Sequence, residues 1–233
     1  MNFEQIEKVI GYRFRDRALL GRGLTHRSWA HEQVAPGAES HVRTLHNEAL
    51  EFVGDSVLGL IVVQYLFTAY PEVTEGELSR MKHSLVSAGT LAKASARLKL
   101  GQFARIGRGE EKTGGRKKNA LLADMFEAVL AAIFLDGGLA AATTFLEYAM
   151  APELAAANPS AAASEDYKTQ LQEKLQAARH AAPQYQVIAT EGPPHHRTFH
   201  IEVSWANGSV RATGHTIKVA EMNAARLALE IIA

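Results

Sequence analysis

Two stretches of this chain put carboxylates where charge does not belong. Ala49 to Leu66 reads ALEFVGDSVLGLIVVQYL, and its only charges are Glu51 and Asp55. Ala120 to Leu135 reads ALLADMFEAVLAAIFL, and its only charges are Asp124 and Glu127. Both segments are apolar nearly all round, the pattern of a helix that lies in a core. A lone ionised carboxylate there is costly or shifts its pKa. At about 100° per residue, Glu48, Glu51 and Asp55 fall within an arc of roughly 60° on one helix face. Asp124 and Glu127, at i and i+3, also share a face. If the two helices pack, four or five carboxylates converge, and like charges at that distance need a cation or a shared proton. The donors are oxygens only, which selects Mg²⁺ or Mn²⁺ over zinc. Such ions keep positions open for water and phosphate oxygens, and a pair of them can assist both ends of a phosphodiester hydrolysis. The competing explanation pairs each carboxylate with a buried Arg or a helix cap. A di-iron bundle needs Glu-x-x-His, and Glu48-x-x-Glu51 and Asp124-x-x-Glu127 lack the histidine.

At roughly 100–200 residues per domain, 233 residues form one large domain or two modest ones. Hydrophobic residues at 47% and charged residues at 21% exclude a mostly disordered chain. Lys+Arg and Asp+Glu are 25 each, so a nucleic-acid partner has to be argued from local patches rather than from net charge. The absence of cysteine excludes disulfides, thiolate catalysis and Cys-ligated zinc. The N-terminal MNFEQIEKVIGYRFRDR lacks the apolar stretch of an export signal. The longest apolar run, Val57–Phe67, is interrupted by Gln64 and is too short to span a bilayer. A cytoplasmic location without membrane contact is the expectation.

The segment 151–164, APELAAANPSAAAS, reads as an Ala/Pro/Ser linker between domains at 1–150 and 165–233. The first part reads all-α, with helices expected over Phe3–Ile10, Arg17–Gly23, Asn47–Tyr70, Glu75–Leu98, Ala120–Gly137 and Leu139–Met150. The second reads α-β-β-β-α. A helix over Tyr167–Arg179 precedes strands at Tyr185–Thr190, Thr198–Trp205 and Ser209–His215, and a helix over Thr216–Ile232 follows. Turns are expected at Gly192-Pro193-Pro194 and Asn207-Gly208.

The stretch from His46 to Ser56, HNEALEFVGDS, closely resembles the signature of the ribonuclease III family. Ala49 departs from it at a place that is often basic. Leu122–Ala128 resembles the family's second acidic motif, Thr25–Ser28 its N-terminal helix motif, and Glu75–Arg80 the stretch between the acidic motifs. The resemblance runs essentially from end to end. It implies a Mg²⁺-dependent endonuclease, Mn²⁺ able to substitute, that cuts double-stranded RNA to 5′-phosphate and 3′-hydroxyl ends in processing rRNA precursors and other structured RNAs. It further implies a homodimer in which each active site cuts one strand. Carried over by motif, Glu51, Asp55, Asp124 and Glu127 are the metal-binding set, with Asp55 and Glu127 catalytic. Glu48 and Glu75 match secondary acidic positions.

The α-β-β-β-α order fits a double-stranded RNA-binding domain, which reads A-form shape through 2′-hydroxyls and phosphates. By resemblance, Gln172, Glu173 and Gln176 face one minor groove, His195 the next, and Lys218 meets phosphates. The family usually places two or three adjacent basic residues where this chain has Thr216-Ile217-Lys218-Val219. From Asp166 to Ala233, seven Lys/Arg stand against six Asp/Glu, so weak RNA binding with a shallow salt dependence is expected. Five of the ten histidines lie in this domain, and protonation beside RNA would strengthen binding as pH falls below about 6.5. The stretch Arg105–Lys118, with six basic residues and four glycines, reads as a flexible loop suited to phosphate contact. It is not a nucleotide-binding P-loop, because no Lys-Ser/Thr follows Gly114, and no nucleotide cofactor is expected.

Three functions compete: a double-strand-specific nuclease, a non-cutting RNA binder of the same fold, and a helical metal hydrolase of small phosphate esters. The intact acidic set favours the first over the second, and the C-terminal RNA-binding pattern tells against the third.

Overall fold

The structure is a computed structural model and describes residues 2–35, 39–159, 167–193 and 197–232. The chain divides into two compact units, Met1–Ala157 and Asn158–Ala233.

The first unit is helical: α1 (Phe3–Ile10), α2 (Arg17–Gly23), α3 (Arg27–Gln33), α4 (Glu39–Leu45), α5 (Glu48–Ala69), α6 (Glu75–Leu85), α7 (Ala88–Arg97), α8 (Arg108–Lys112), α9 (Asn119–Ala149) and α10 (Ala151–Ala156). Its centre is α5 packed along α9. Leu58, Ile61, Val62 and Leu66 of α5, and Phe126, Val129, Leu130 and Ile133 of α9, are buried. Phe126 meets Phe145 with ring centroids 5.5 Å apart. By length and composition either helix could cross a membrane, and α5 at 22 residues is longer than its apolar run suggests. Here both serve as core helices. α9 breaks at Gly138, whose φ of 81° suits glycine, so the expected division between Gly137 and Leu139 is present as a kink.

Elsewhere the helices begin and end on local chemistry. Asn2 caps α1 by accepting from Gln5 N–H, and Thr74 and Glu77 form a reciprocal capping box at α6. The single helix expected over Glu75–Leu98 is two. Ser87 accepts from Thr90 N–H and starts α7, because a serine hydroxyl offers the backbone an alternative partner at that point. The expected linker begins later than Ala151. Glu153 of α10 pairs with Arg97 at 2.6 Å, Leu154 is buried, and Tyr70 donates to the Ala157 carbonyl at 2.6 Å. These contacts bring Ala151–Ala157 into the first unit, while residues 160–164 lie outside the described residues.

The second unit comprises α11 (Tyr167–Ala177), an antiparallel sheet in the order β1 (Gln184–Glu191), β2 (Thr198–Trp205), β3 (Gly208–Gly214), and α12 (Ile217–Ile232). Tyr185 and Val210 flank Val203 in register, and a bulge interrupts β1 between Val187 and Ala189. Trp205 pairs with Gly208, so the tight turn is Ala206-Asn207, one residue earlier than expected. Ile201 and Val203 pack with Leu171 and Leu175 of α11 and Ala220, Ala224, Ala225 and Ala228 of α12. Small residues on α12 let the helices close over the sheet.

Candidate active site

Glu51, Asp124 and Glu127 bring one carboxylate oxygen each to within 4.8 Å of one another, and all three side chains are half-buried. Two apolar helices enforce this. Leu50 and Val53 of α5 pack on Ala128 and Ala131 of α9. Between Glu51 and Asp55, Gly54 lies so close to α9 that a Cβ there would fall 2.0 Å from the Glu127 carbonyl oxygen. A glycine is therefore the only residue that permits this approach. Its signal was present in the signature stretch, but sequence reasoning assigned it no role.

The electrostatics follow from the packing. Burial, then Asp55, Glu51 and Asp124, push the Glu127 carboxyl up to about 7. Burial, followed by Asp124 and Glu48, raises Glu51 against the opposing charge of Arg27. Burial raises Asp124, with His26 and Arg27 working the other way. Without a counter-charge the cluster holds on to a proton near neutral pH. An all-oxygen donor set that repels itself this strongly fits a hard divalent cation.

The remaining acidic candidates are placed differently. Asp55 is exposed and lies outside the trio, although its charge reaches Glu127. Glu48 is exposed and accepts from Arg27 at 3.2 Å. Glu75, in the first turn of α6, accepts from Ser79 Oγ at 2.8 Å and does not join the trio.

His26 and Arg27 are the residues that sequence reasoning quoted but left without a role. His26 Nδ1 accepts from Ser28 N–H at 3.2 Å, and Ser28 Oγ accepts from Gly107 N–H at 2.8 Å. His26 N–H donates to the Arg105 carbonyl, and Asn47 N–H donates to the Thr25 carbonyl, each at 2.9 Å. The strand-like link Thr25–Arg105 thus ties the start of α5 to the basic stretch. Burial lowers the His26 pKa, opposed by Glu110 and Asp124.

The basic stretch is ordered rather than a flexible loop. It contains α8 and a short 3₁₀ turn at Gly115–Lys117. Arg116 pairs with Glu111 at 2.7 Å and also donates to the Gly101 and Ala104 carbonyls. Lys118 pairs with Glu110 at 2.7 Å, and the Arg105 guanidinium lies 5.2 Å from the Trp29 ring centroid.

In the second unit, Gln172, Glu173 and Gln176 stand exposed on α11, alongside the buried positions Leu171 and Leu175. Lys218 is exposed in the first turn of α12, between Ile217 and Val219, each 44% exposed. His195 lies outside the described residues. Lys168 is paired with Glu221 at 2.7 Å and sits 4.4 Å from the Tyr185 ring centroid.

Comparison with known proteins places these units. Residues 16–154 match the family described as ribonuclease-III-like, and residues 167–232 match the double-stranded RNA binding motif. The chain is 44% identical over 226 residues to Ribonuclease 3 of Geobacter metallireducens, covering 97% of this chain and 89% of that one. It is 42% identical over 235 residues to Ribonuclease 3 of Syntrophobacter fumaroxidans, covering 99% and 94%. Among solved structures, a nuclease domain of ribonuclease III from Campylobacter jejuni, studied for flexibility in a region involved in dimer formation, aligns with a TM-score of 0.58. It is 35% identical and covers 65% of this chain and 98% of its own.

Proposed function

Since the chain belongs to the ribonuclease III family, and is therefore an endoribonuclease of double-stranded RNA, we propose that Glu51, Asp55, Asp124 and Glu127 form its hydrolytic centre and that the ion they hold is Mg²⁺. The observation that carries this is the convergence of Glu51, Asp124 and Glu127 within 4.8 Å. Mn²⁺ offers the same oxygen preference and would substitute. When bound, the ion polarises a phosphoryl oxygen and lowers the pKa of a bound water.

The chain's own residues do the rest. Glu127 would be held as the carboxylate by a bound cation, whose charge would offset the burial and the nearby Asp55, Glu51 and Asp124 that raise its carboxyl. Asp55, exposed at the mouth beside Glu127, orients the attacking water by accepting its hydrogen bond. Arg27 offsets the charge of Glu48 and moderates that of Glu51 and Asp124, and its exposed guanidinium faces an approaching phosphate. Glu75 serves outside the centre. The products carry 5′-phosphate and 3′-hydroxyl ends, and rRNA precursors are among the substrates. The domains are 1–157 for the nuclease and 165–233 for RNA binding, in a cytoplasmic protein.

The working form is a homodimer. Phe52, Leu60, Val63 and Phe67 are 77%, 54%, 46% and 73% exposed. They lie within an arc of roughly 80° on α5. An apolar stripe of that length on a core helix marks a protein interface. In the solved Campylobacter jejuni relative, the nuclease domain has a region involved in dimer formation.

The test is cleavage of a long perfect RNA duplex with Mg²⁺ and with EDTA, beside Glu127→Gln. Metal-dependent shortening, reduced by roughly 10²-fold or more in the variant while duplex binding persists, is the expected result. A variant that cuts normally would remove Glu127 from the centre.

A further inference from the structure

The first unit holds both paired and unpaired cations. Arg17, Arg27, Arg97, Arg116 and Lys118 have carboxylate partners. Lys93, Lys99 and Lys117 have no ion-pair partner among the described residues, and all three are exposed around one hollow of about 670 Å³. No carboxylate lines that hollow among the described residues.

Its floor is apolar, formed by Ala92 and Ala96 of α7 and Leu122 of α9. Gln102 and Asn119 add amide groups at its edge. Leu122 lies roughly 200° around the helix from Asp124, so the hollow and the acidic cluster use different faces of α9.

The walls are fixed before any ligand arrives. The Arg116 guanidinium donates to the Gly101 and Ala104 carbonyls at 2.9 and 2.8 Å. A Cβ at Gly101 would fall 2.3 Å from the Arg116 carbonyl oxygen, so the turn Leu100–Gln102 and the turn Gly115–Lys117 are locked together. Lys99 holds a left-handed backbone, φ 56° and ψ 30°, which is uncommon for any residue but glycine and asparagine. Strain of that kind persists only where the surroundings over-determine it.

We propose that this hollow binds a nucleoside polyphosphate, with the phosphates on Lys93, Lys99 and Lys117 and the base on the apolar floor. Three ammonium groups around one concavity offer a polyphosphate several cations at once. The volume lies in the range of small-molecule sites, which combine an apolar lining with a few convergent polar groups. A duplex fits less well, since its convex, polar outer surface leaves the apolar floor unfilled. The site is not a P-loop: its cations are side chains from a helix and two turns, and the nucleotide is a ligand rather than a participant in hydrolysis.

The experiment uses the full chain in EDTA, so that no cation on the acidic cluster holds phosphate. Calorimetric titrations with ATP, inorganic triphosphate and adenosine are compared. ATP should bind saturably at one site per chain, triphosphate should bind more weakly, and adenosine should give no heat. Lys93→Gln with Lys99→Asn, the asparagine chosen to suit the left-handed backbone, should weaken ATP by at least about tenfold. Ala96→Glu should do the same by placing a carboxylate in the floor. Both variants should cut duplex RNA at the parent rate with Mg²⁺ present, which shows that they fold. Absence of saturable ATP binding overturns the proposal. So does ATP binding unchanged in both variants, or triphosphate binding as tightly as ATP. Loss of duplex binding in the lysine variant, with no ATP binding by the parent, would make the hollow an RNA contact instead.

Discussion

In the first unit, two apolar helices press three carboxylates together. In the second, Gln172, Glu173, Gln176 and Lys218 stand exposed to solvent. Backbone approach and burial create the acidic site, and the raised carboxyls measure how much the packing works against it. A surface that is to meet RNA phosphates depends instead on which charges remain unspent. Here many are spent: Lys168 on Glu221, Arg211 on Glu202 and Arg226 on Glu230. A site built by packing fails when the packing changes. A site built by exposed charge is tuned one residue at a time.

The sharpest way to break the first kind of site is Gly54→Ala. The added methyl meets the Glu127 carbonyl oxygen at 2.0 Å, and a backbone atom on a core helix cannot swing aside. Helices α5 and α9 must separate, at a cost typical of overpacking, about 1–3 kcal/mol. Thermal unfolding should show that loss, and duplex cleavage should fall far more than duplex binding. A variant as stable and active as the parent would mean that the close approach is not what assembles the trio.

Phe52→Asp acts one residue from Glu51 but outside the packed core. Its ring is 77% exposed, so the isolated chain should fold as before. Sedimentation should show monomer in place of dimer, and cleavage should drop because two strands no longer meet two sites. A dimer that survives the substitution would place the interface elsewhere than the outer face of α5.

The same division decides what was legible in the sequence. Carboxylates in apolar helices announce themselves, because burial and charge conflict in plain view. The strands of the second unit were equally readable from their alternation and turns. Ser87 was harder, since a serine within a helical pattern becomes a cap only when its hydroxyl finds Thr90 N–H. The Ala-rich stretch from Ala151 looked like linker, but its fate rests on Arg97 and on Tyr65 and Tyr70, more than fifty residues away. Arg116 read as a free cation because composition does not show that Glu111 is its partner. The role of Gly54 was hidden for a related reason: a close approach belongs to two helices and is written on neither alone.

A milder perturbation is pH in the absence of divalent cation. Glu127 titrates near 7 in the folded chain against an ordinary value of 4.5, so the native state binds the extra proton between those values. Stability is therefore lost as pH rises through that window, with Glu51 and Asp124 shifted in the same direction. Unfolding midpoints in EDTA should fall between about pH 5 and 8, and Glu127→Gln should flatten the fall. Added Mg²⁺ should restore the parent at the alkaline end and leave the acid end unchanged. A parent curve that is flat in EDTA would mean that the carboxylates relieve their repulsion by moving apart.

The smallest expected effect lies on the exposed surface of the second unit. Ile217 is 44% exposed at the start of α12, beside Lys218, so a lysine there can keep its stem on the apolar surface and its ammonium in water. Ile217→Lys adds one cation at the helix start, where the macrodipole also favours phosphate. Duplex affinity should rise a few-fold, and the slope of log affinity against log salt should steepen by about one. Cleavage at saturating RNA should not change, because the acidic site is fixed by packing in another unit. If affinity rises but the salt slope does not, the lysine side chain acts without displacing a counterion, and α12 meets the RNA through something other than phosphate. If neither changes, the first turn of α12 lies away from the RNA.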